Sequence, residues 1–101
     1  MVVLAVDSSR GVAGPVASIL RGRYPDRVFV TYTPLGPRVQ LELRTANDSS
    51  INLVEHLRRA ADDVPVITCG GHPSAAGALL ASSDLDSFLG ALRQTFEDQG
   101  V

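Results

Sequence analysis

Hydrophobic residues recur along this chain in three different rhythms. Val2-Val3-Leu4-Ala5-Val6 is a continuous apolar run, the pattern of a strand buried on both faces. Past the turn residues Asp7 to Gly11, the residues Val12, Val16, Ile19 and Leu20 fall on one helical stripe. Pro15 is tolerable in the first turn of that helix, and Tyr24-Pro25-Asp26 ends it. Val28 to Thr33 is β-branched and aromatic, which predicts a strand. Pro34-Leu35-Gly36-Pro37 is a turn. Val39, Leu41 and Leu43 then alternate strictly with Gln40, Glu42 and Arg44, so the next strand has one apolar and one polar face. These two strands should form an antiparallel hairpin.

The helical rhythm returns at Leu53, Leu57 and Ala61, with Asn47-Asp48-Ser49-Ser50 offering N-cap candidates. Val66-Ile67 predicts a short strand or an extended lead into a glycine-rich loop, and Ala78-Leu79-Leu80-Ala81 a strand leaving it. Ser83 and Asp86 have capping-box spacing before Leu85, Phe88, Leu89, Leu92 and Phe96, which share one helical face. The expected order is β-α-β-β-α-(β)-β-α. That is an α/β fold with a mixed β-sheet of about five strands covered by three helices.

Length and composition narrow the function. The 101 residues suffice for one domain with one core, spanning 1–101. The formal charge of −2 argues against a general polyanion-binding surface, and two Tyr and three Phe leave little material for stacking bases. All nine basic residues are Arg, so every cation present can contact a phosphate bidentately. Cys69 is the only cysteine, which excludes an internal disulfide and a Cys-based zinc site. No run approaches the ~20 apolar residues of a membrane span, and Met1 leads straight into the first strand pattern. A cytoplasmic protein without a membrane partner is expected.

The chemistry concentrates in Gly70-Gly71-His72-Pro73-Ser74-Ala75-Ala76-Gly77. Glycine admits positive φ and close approach of a ligand, and successive N–H groups in such a loop form an anion-binding concavity. His72 stands where it can donate to a phosphate oxygen, beside the small residues 75–77. The stretch predicts a phosphate-sized pocket. A cradle role for Gly71 predicts that a methyl group there costs binding more than stability. Arg44 ends the alternating strand on its polar face, where it either pairs with a neighbouring carboxylate or holds two phosphate oxygens. Arg10, Arg58 and Arg59 read as solvated, His56 as a helix-surface residue, and Cys69 as a small packing residue.

GGHPSAAG resembles the GGH-x-x-AAG signature of the DHH-associated domain (subtype 1). That domain is the substrate-gripping half of DHH phosphoesterases such as the RecJ-like single-strand exonucleases and the nanoRNases. Residues 39–45, VQLELRT, resemble the family's strand ending in Leu-Arg-Ser. Residues 11–18, GVAGPVAS, resemble the RecJ-type run that opens the first helix. The resemblance implies the same architecture, with Gly70, Gly71 and His72 contacting a phosphate and Arg44 clamping one. It implies single-stranded DNA or RNA or a short oligonucleotide as ligand, and a DHH catalytic domain in cis or trans as partner.

Metal-dependent phosphate hydrolysis needs several Asp, Glu or His ligands. The chain has two histidines, no DHH triplet and scattered carboxylates, so no catalytic residue, metal ligand or cofactor is expected within it. In the family the Mn²⁺ or Mg²⁺ belongs to the other domain. The expected role is therefore substrate binding without catalysis. The alternatives are a regulatory module for a nucleotide or cyclic dinucleotide, a small self-sufficient phosphoesterase, and an interaction domain with a purely structural glycine loop.

Overall fold

The computed structural model describes residues 2–5, 28–45 and 50–99. Five strands form one mixed sheet: β1 (Val2–Ala5), β2 (Phe29–Leu35), β3 (Arg38–Arg44), β4 (Thr68–His72) and β5 (Ala75–Ala81). Among the described residues two helices accompany it, α1 (Leu53–Asp63) and α2 (Leu85–Asp98), with a short 3₁₀ turn (Ser82–Asp84) before α2. The strand order is β1-β2-β3-β5-β4. β1 runs parallel to β2, and every other neighbouring pair is antiparallel. The five-stranded mixed sheet and the β2–β3 hairpin agree with the sequence reading. The helix expected over residues 12–20, together with Arg10, lies outside the described residues.

The alternation in β3 decides what each face of the sheet meets. Residues directly opposite each other in a ladder share a face. Val39, Leu41 and Leu43 therefore share a face with Val30 on β2 and with Ala76, Ala78 and Leu80 on β5. All are buried against Leu53, Leu57 and Ala60 of α1 and Phe88, Leu92 and Phe96 of α2. Burying each large apolar side chain contributes about 1.5–3 kcal/mol. The opposite face carries Gln40, Glu42 and Arg44, each half-buried. One side of the central sheet is thus a helix-covered core, and on the other the polar side chains of β3 lie beside the buried Phe29, Thr31 and Thr33 of β2.

Several local details differ from expectation. The N-cap of α1 is Asn52, whose side chain accepts from the Glu55 N–H at 3.3 Å. Within the tract expected to cap it, Ser50 precedes this position and Asn47 to Ser49 lie outside the described residues. A second orphan N–H of the helix, that of Leu53, donates to the Pro73 carbonyl at 2.8 Å. The buried stripe of α1 is Leu53, His56, Leu57 and Ala60, so it ends one residue before the expected Ala61. Ser83 forms no capping box. The helix starts at Asp84 without a side-chain cap, while Ser82 ties its N–H to Pro37 O and its hydroxyl to Gly36 O. Gly36 takes φ +67° in that turn, a value that favours glycine.

The glycine-rich stretch is the largest local departure. Val66 and Ile67 are not its strand; β4 begins at Thr68 and contains Gly70, Gly71 and His72. β5 begins at Ala75, three residues before the expected start. What the composition suggests as a loop is a β-hairpin whose turn is Pro73-Ser74.

Candidate nucleic-acid interface at one end of the sheet

The hairpin register brings the expected site residues together. His72 pairs with Ala75, and Ala75 pairs on its other side with Arg44. All three side chains share the polar face. At the usual strand spacing, His72 and Arg44 stand about 10 Å apart across Ala75. One step back along the strands, Gly70 pairs with Gly77 and Gly77 with Glu42. The sequence neighbours Gly70 and His72 are therefore also spatial neighbours of Arg44, which is 26 positions or more away in the chain.

The hairpin tip is held from two sides. The Pro73 carbonyl accepts from the Leu53 N–H at the start of α1, and the Ser74 carbonyl accepts from the Thr45 N–H at 3.0 Å. Helix α1 and the end of β3 thus fix the turn against the sheet. Because residues 68–72 are a strand, their N–H groups alternate in direction rather than converging on one point. The converging ring of backbone donors expected of a loop is therefore not formed by this stretch.

The three glycines play different parts. Gly71 has φ +129°, and a Cβ there would lie 2.7 Å from both the Ala75 carbonyl oxygen and the Ala76 Cα. Its glycine is required by the hairpin itself, which corrects the expectation that a methyl group there costs mainly binding. Gly77 lies beneath side chains: a Cβ would come 2.9 Å from Leu41 O, 3.3 Å from Gln40 Nε2 and 3.4 Å from Glu42 Oε2. Gly70 meets nothing within 4 Å. It is the open floor of the site.

Arg44 is held in place. Its Nη1 donates to Glu42 Oε2 at 3.1 Å and to the Leu43 carbonyl at 2.9 Å. The pairing with a neighbouring carboxylate, one of the two readings from sequence, is therefore present, and further guanidinium N–H groups remain for a ligand or solvent. The ion pair is partly shielded, with side chains 17% and 28% exposed. Glu42 was not singled out from the sequence. Its signal was the i, i+2 spacing to Arg44 in an alternating strand, which puts both on one face. His72 is exposed, and among the described residues no hydrogen bond holds its ring.

The other histidine contradicts its expectation. His56 is not on the helix surface but 1% exposed between α1 and α2. Its Nδ1 lies 2.7 Å from Thr95 Oγ1 and its Nε2 lies 2.8 Å from Gln99 Oε1. The Thr95 hydroxyl donates to Leu92 O at 2.7 Å, so it accepts from the His56 Nδ1–H. The ring stacks on Phe96 with centroids 4.1 Å apart. Burial lowers its pKa below the ordinary histidine value, with the Arg59 charge adding to the fall and the Gln99 bond and Glu55 opposing it. Cys69 also departs from expectation: its thiol is free and exposed on β4 rather than packed. Arg58 and Arg59 are exposed, as expected.

Among the described residues, no three His, Cys, Asp or Glu side chains come together as metal ligands. The residues of this face do not fit a divalent cation. No helix among them is long and apolar enough to cross a membrane.

Residues 1–98 match the model of the DHHA1 domain, and the chain belongs to that family. The fold is shared with the C-Ala domain of Aquifex aeolicus alanyl-tRNA synthetase, with a TM-score of 0.76 at 14% identity over 92% of this chain and 86% of that one. RecJ from Thermus thermophilus, solved in complex with Mg²⁺, is similar at 25% identity and TM-score 0.70 over 93% of this chain. The exonuclease RecJ bound to manganese is similar at 26% identity and TM-score 0.70 over 90% of this chain. This chain spans only 14% and 22% of those two RecJ chains. No curated protein matches the sequence.

Proposed function

We propose that the Arg44–His72 end of the sheet is the substrate-binding surface of a RecJ-like phosphoesterase, and that residues 1–101 act as one binding domain. The ligand is a single-stranded nucleic acid or short oligonucleotide. Gly70 lets the sugar–phosphate chain lie against the sheet, Arg44 donates to phosphate oxygens, and His72 donates from the opposite rim. Gly71 contributes by shaping the hairpin that holds Gly70 and His72. The catalytic domain, with its Mn²⁺ or Mg²⁺ and the attacking water, is a DHH domain in cis or trans. This chain grips the substrate and does not cut it.

The observation that carries the reading is the register row Arg44–Ala75–His72 above the Glu42–Gly77–Gly70 row. It joins two donors across a floor that lacks side chains at its open end. The likeness to RecJ at 25% identity and the DHHA1 family match support it.

The test is a titration of the chain with a fluorescent single-stranded oligonucleotide. Arg44→Ala should weaken binding by about 1.5–3 kcal/mol, the scale of a charge-assisted hydrogen bond. Arg93→Ala, exposed on α2, removes the same charge and should change little. Gly70→Ala should weaken binding while the melting temperature stays put, because the added methyl enters open space. Equal losses at Arg44 and Arg93 would show that net charge, not a defined clamp, sets affinity. Undiminished binding by Gly70→Ala would remove the floor from the site.

A further inference from the structure

The hairpin tip beside His72 is held by two backbone anchors of different kinds. The Ser74 carbonyl accepts from the Thr45 N–H at 3.0 Å, and Thr45 directly follows β3, a strand paired on both sides. The Pro73 carbonyl accepts from the Leu53 N–H at 2.8 Å, and Leu53 opens α1. The first N–H groups of a helix have no partner within it, so this second anchor depends on how the helix begins. The Leu53 N–H belongs to the peptide plane that joins Asn52 to Leu53. The carbonyl of that same plane, on Asn52, accepts from the His56 N–H at 3.3 Å. One plane thus points its oxygen into the helix and its N–H at the hairpin. Its tilt is set by the extended backbone of Asn52, with φ −106° and ψ 99°. The Asn52 side chain holds that conformation by accepting from the Glu55 N–H at 3.3 Å.

We infer that Asn52 is a positioning residue for His72, acting through the Leu53 N–H on the carbonyl of Pro73. The inference rests on the proposed substrate-binding role of the Arg44–His72 face. Pro73 follows His72 directly, so a shift of the Pro73 carbonyl moves the His72 ring. Among the described residues no hydrogen bond holds that ring, and the backbone alone fixes its place. Arg44 is fixed separately, by the ladders of β3 and by its bond to Glu42. Loss of the cap oxygen therefore loosens one rim of the site and leaves the other as it was. When the binding-competent arrangement is only fractionally populated, the apparent affinity falls by that fraction. Asn52 thereby sets how tightly the site binds, although it lies before α1 rather than on the sheet.

The full chain is titrated with a fluorescent single-stranded oligonucleotide well below its melting temperature, and amide exchange at Leu53 is read by NMR on the same proteins. Asn52→Ala removes the cap oxygen. It should speed exchange at Leu53 about fivefold, the scale of a lost N-cap. It should weaken binding about threefold, as the pinned hairpin becomes less populated. Asn52→Ser supplies a neutral cap again and should restore both readouts. In a His72→Ala background, Asn52→Ala should change affinity less than about 1.5-fold, because no ring is left to position. Gly36→Ala is the control for general destabilisation: it strains a turn with φ +67° at the other end of the sheet and should leave affinity unchanged. Undiminished binding by Asn52→Ala, unchanged exchange at Leu53, no recovery in Asn52→Ser, or an equal loss with and without His72 overturns the inference alone. Equal weakening by Gly36→Ala overturns it too, since lost stability would then account for the effect. If Asn52→Ala does not fold, Asn52→Gly removes the same oxygen at less cost to the helix and is held to the same outcomes. If wild type does not bind, or if Arg44→Ala and His72→Ala both bind as wild type does, the substrate-binding reading of the face fails and this inference with it.

Discussion

The two histidines of this chain occupy regions built on opposite principles. His56 lies between α1 and α2, stacked on Phe96 and with both ring nitrogens engaged by Thr95 and Gln99. Every polar atom of that ring is placed, as burial demands. His72 stands exposed at the end of β4, beside a floor that has no side chain at Gly70. The first region uses its histidine to join two helices. In the second, Arg44 is paired with Glu42, and among the described residues no hydrogen bond holds the His72 ring. A saturated cluster stabilises the fold, whereas an unsaturated one is available to a ligand.

The largest effect that can break this contrast comes from Gly71, which lies between Gly70 and His72 in sequence but pairs with Ala76 on the core face of the sheet. Gly71→Ala should destabilise the chain by about 2–4 kcal/mol, through a backbone angle that disfavours side chains and contact with backbone atoms of β5. A calorimetric or circular-dichroism melt should show a fall of more than about 10 °C. A melt within a degree or two of wild type would mean that the hairpin relaxes freely and that the fold does not require glycine at position 71.

Next in size is the comparison of His56→Ala with His72→Ala. Removing the buried ring leaves a cavity against Phe96 and strips a partner from Thr95 and Gln99. The expected cost is about 2–3 kcal/mol in urea unfolding. His72→Ala should stay within about 0.5 kcal/mol, because the ring is exposed at the strand end. Similar losses at both positions would erase the distinction between the two regions.

The pH dependence of stability sharpens the same comparison with a smaller effect. The folded pKa of His56 is depressed below the ordinary value of 6.5, mainly by burial. The unfolded chain therefore binds this proton more readily than the folded one. Stability from the neutral ring is fully present above pH 6.5 and declines as pH falls through that value toward the lower folded pKa. Urea midpoints at pH of about 7.5 and about 5.5, on either side of the ordinary histidine value, should differ more in wild type than in His56→Gln, with wild type losing stability on the acid side. An equal slope in the variant would assign the dependence to the carboxylates. The smallest change expected is in the melt of Gly70→Ala, within about 0.5 kcal/mol of wild type.

Much of the fold was legible in the chain because strands and helices write their burial at fixed periods. The alternation of Val39, Leu41 and Leu43 marked the core face of β3, and Leu53 with Leu57 and Phe88 with Leu92 marked the covered faces of both helices. The glycine stretch was legible in composition but not in conformation. Glycine is weak evidence for a strand, so Gly70 and Gly71 read as a loop, although ladder pairing to Gly77 and Ala76 makes them part of β4. His56 misled for a related reason. Polar residues on helices usually face water, and only the partners on α2 reveal that this one does not.

Local pattern and residue type by themselves determined the β2–β3 hairpin, the two amphipathic helices and the family signature around His72. These depend on neighbours within a few positions, where side-chain direction follows from backbone period alone. Tertiary structure alone decided which residues meet across the sheet. The order β3-β5-β4 sets Arg44 beside Ala75 and Ala75 beside His72, and brings Glu42 over Gly77. It also pinned the hairpin tip to Leu53 and Thr45 and closed α2 over His56. Such contacts join positions far apart in the chain, so no local periodicity encodes them. They follow from burying one face of every element in a common core, which leaves this strand order to fix what remains outside it.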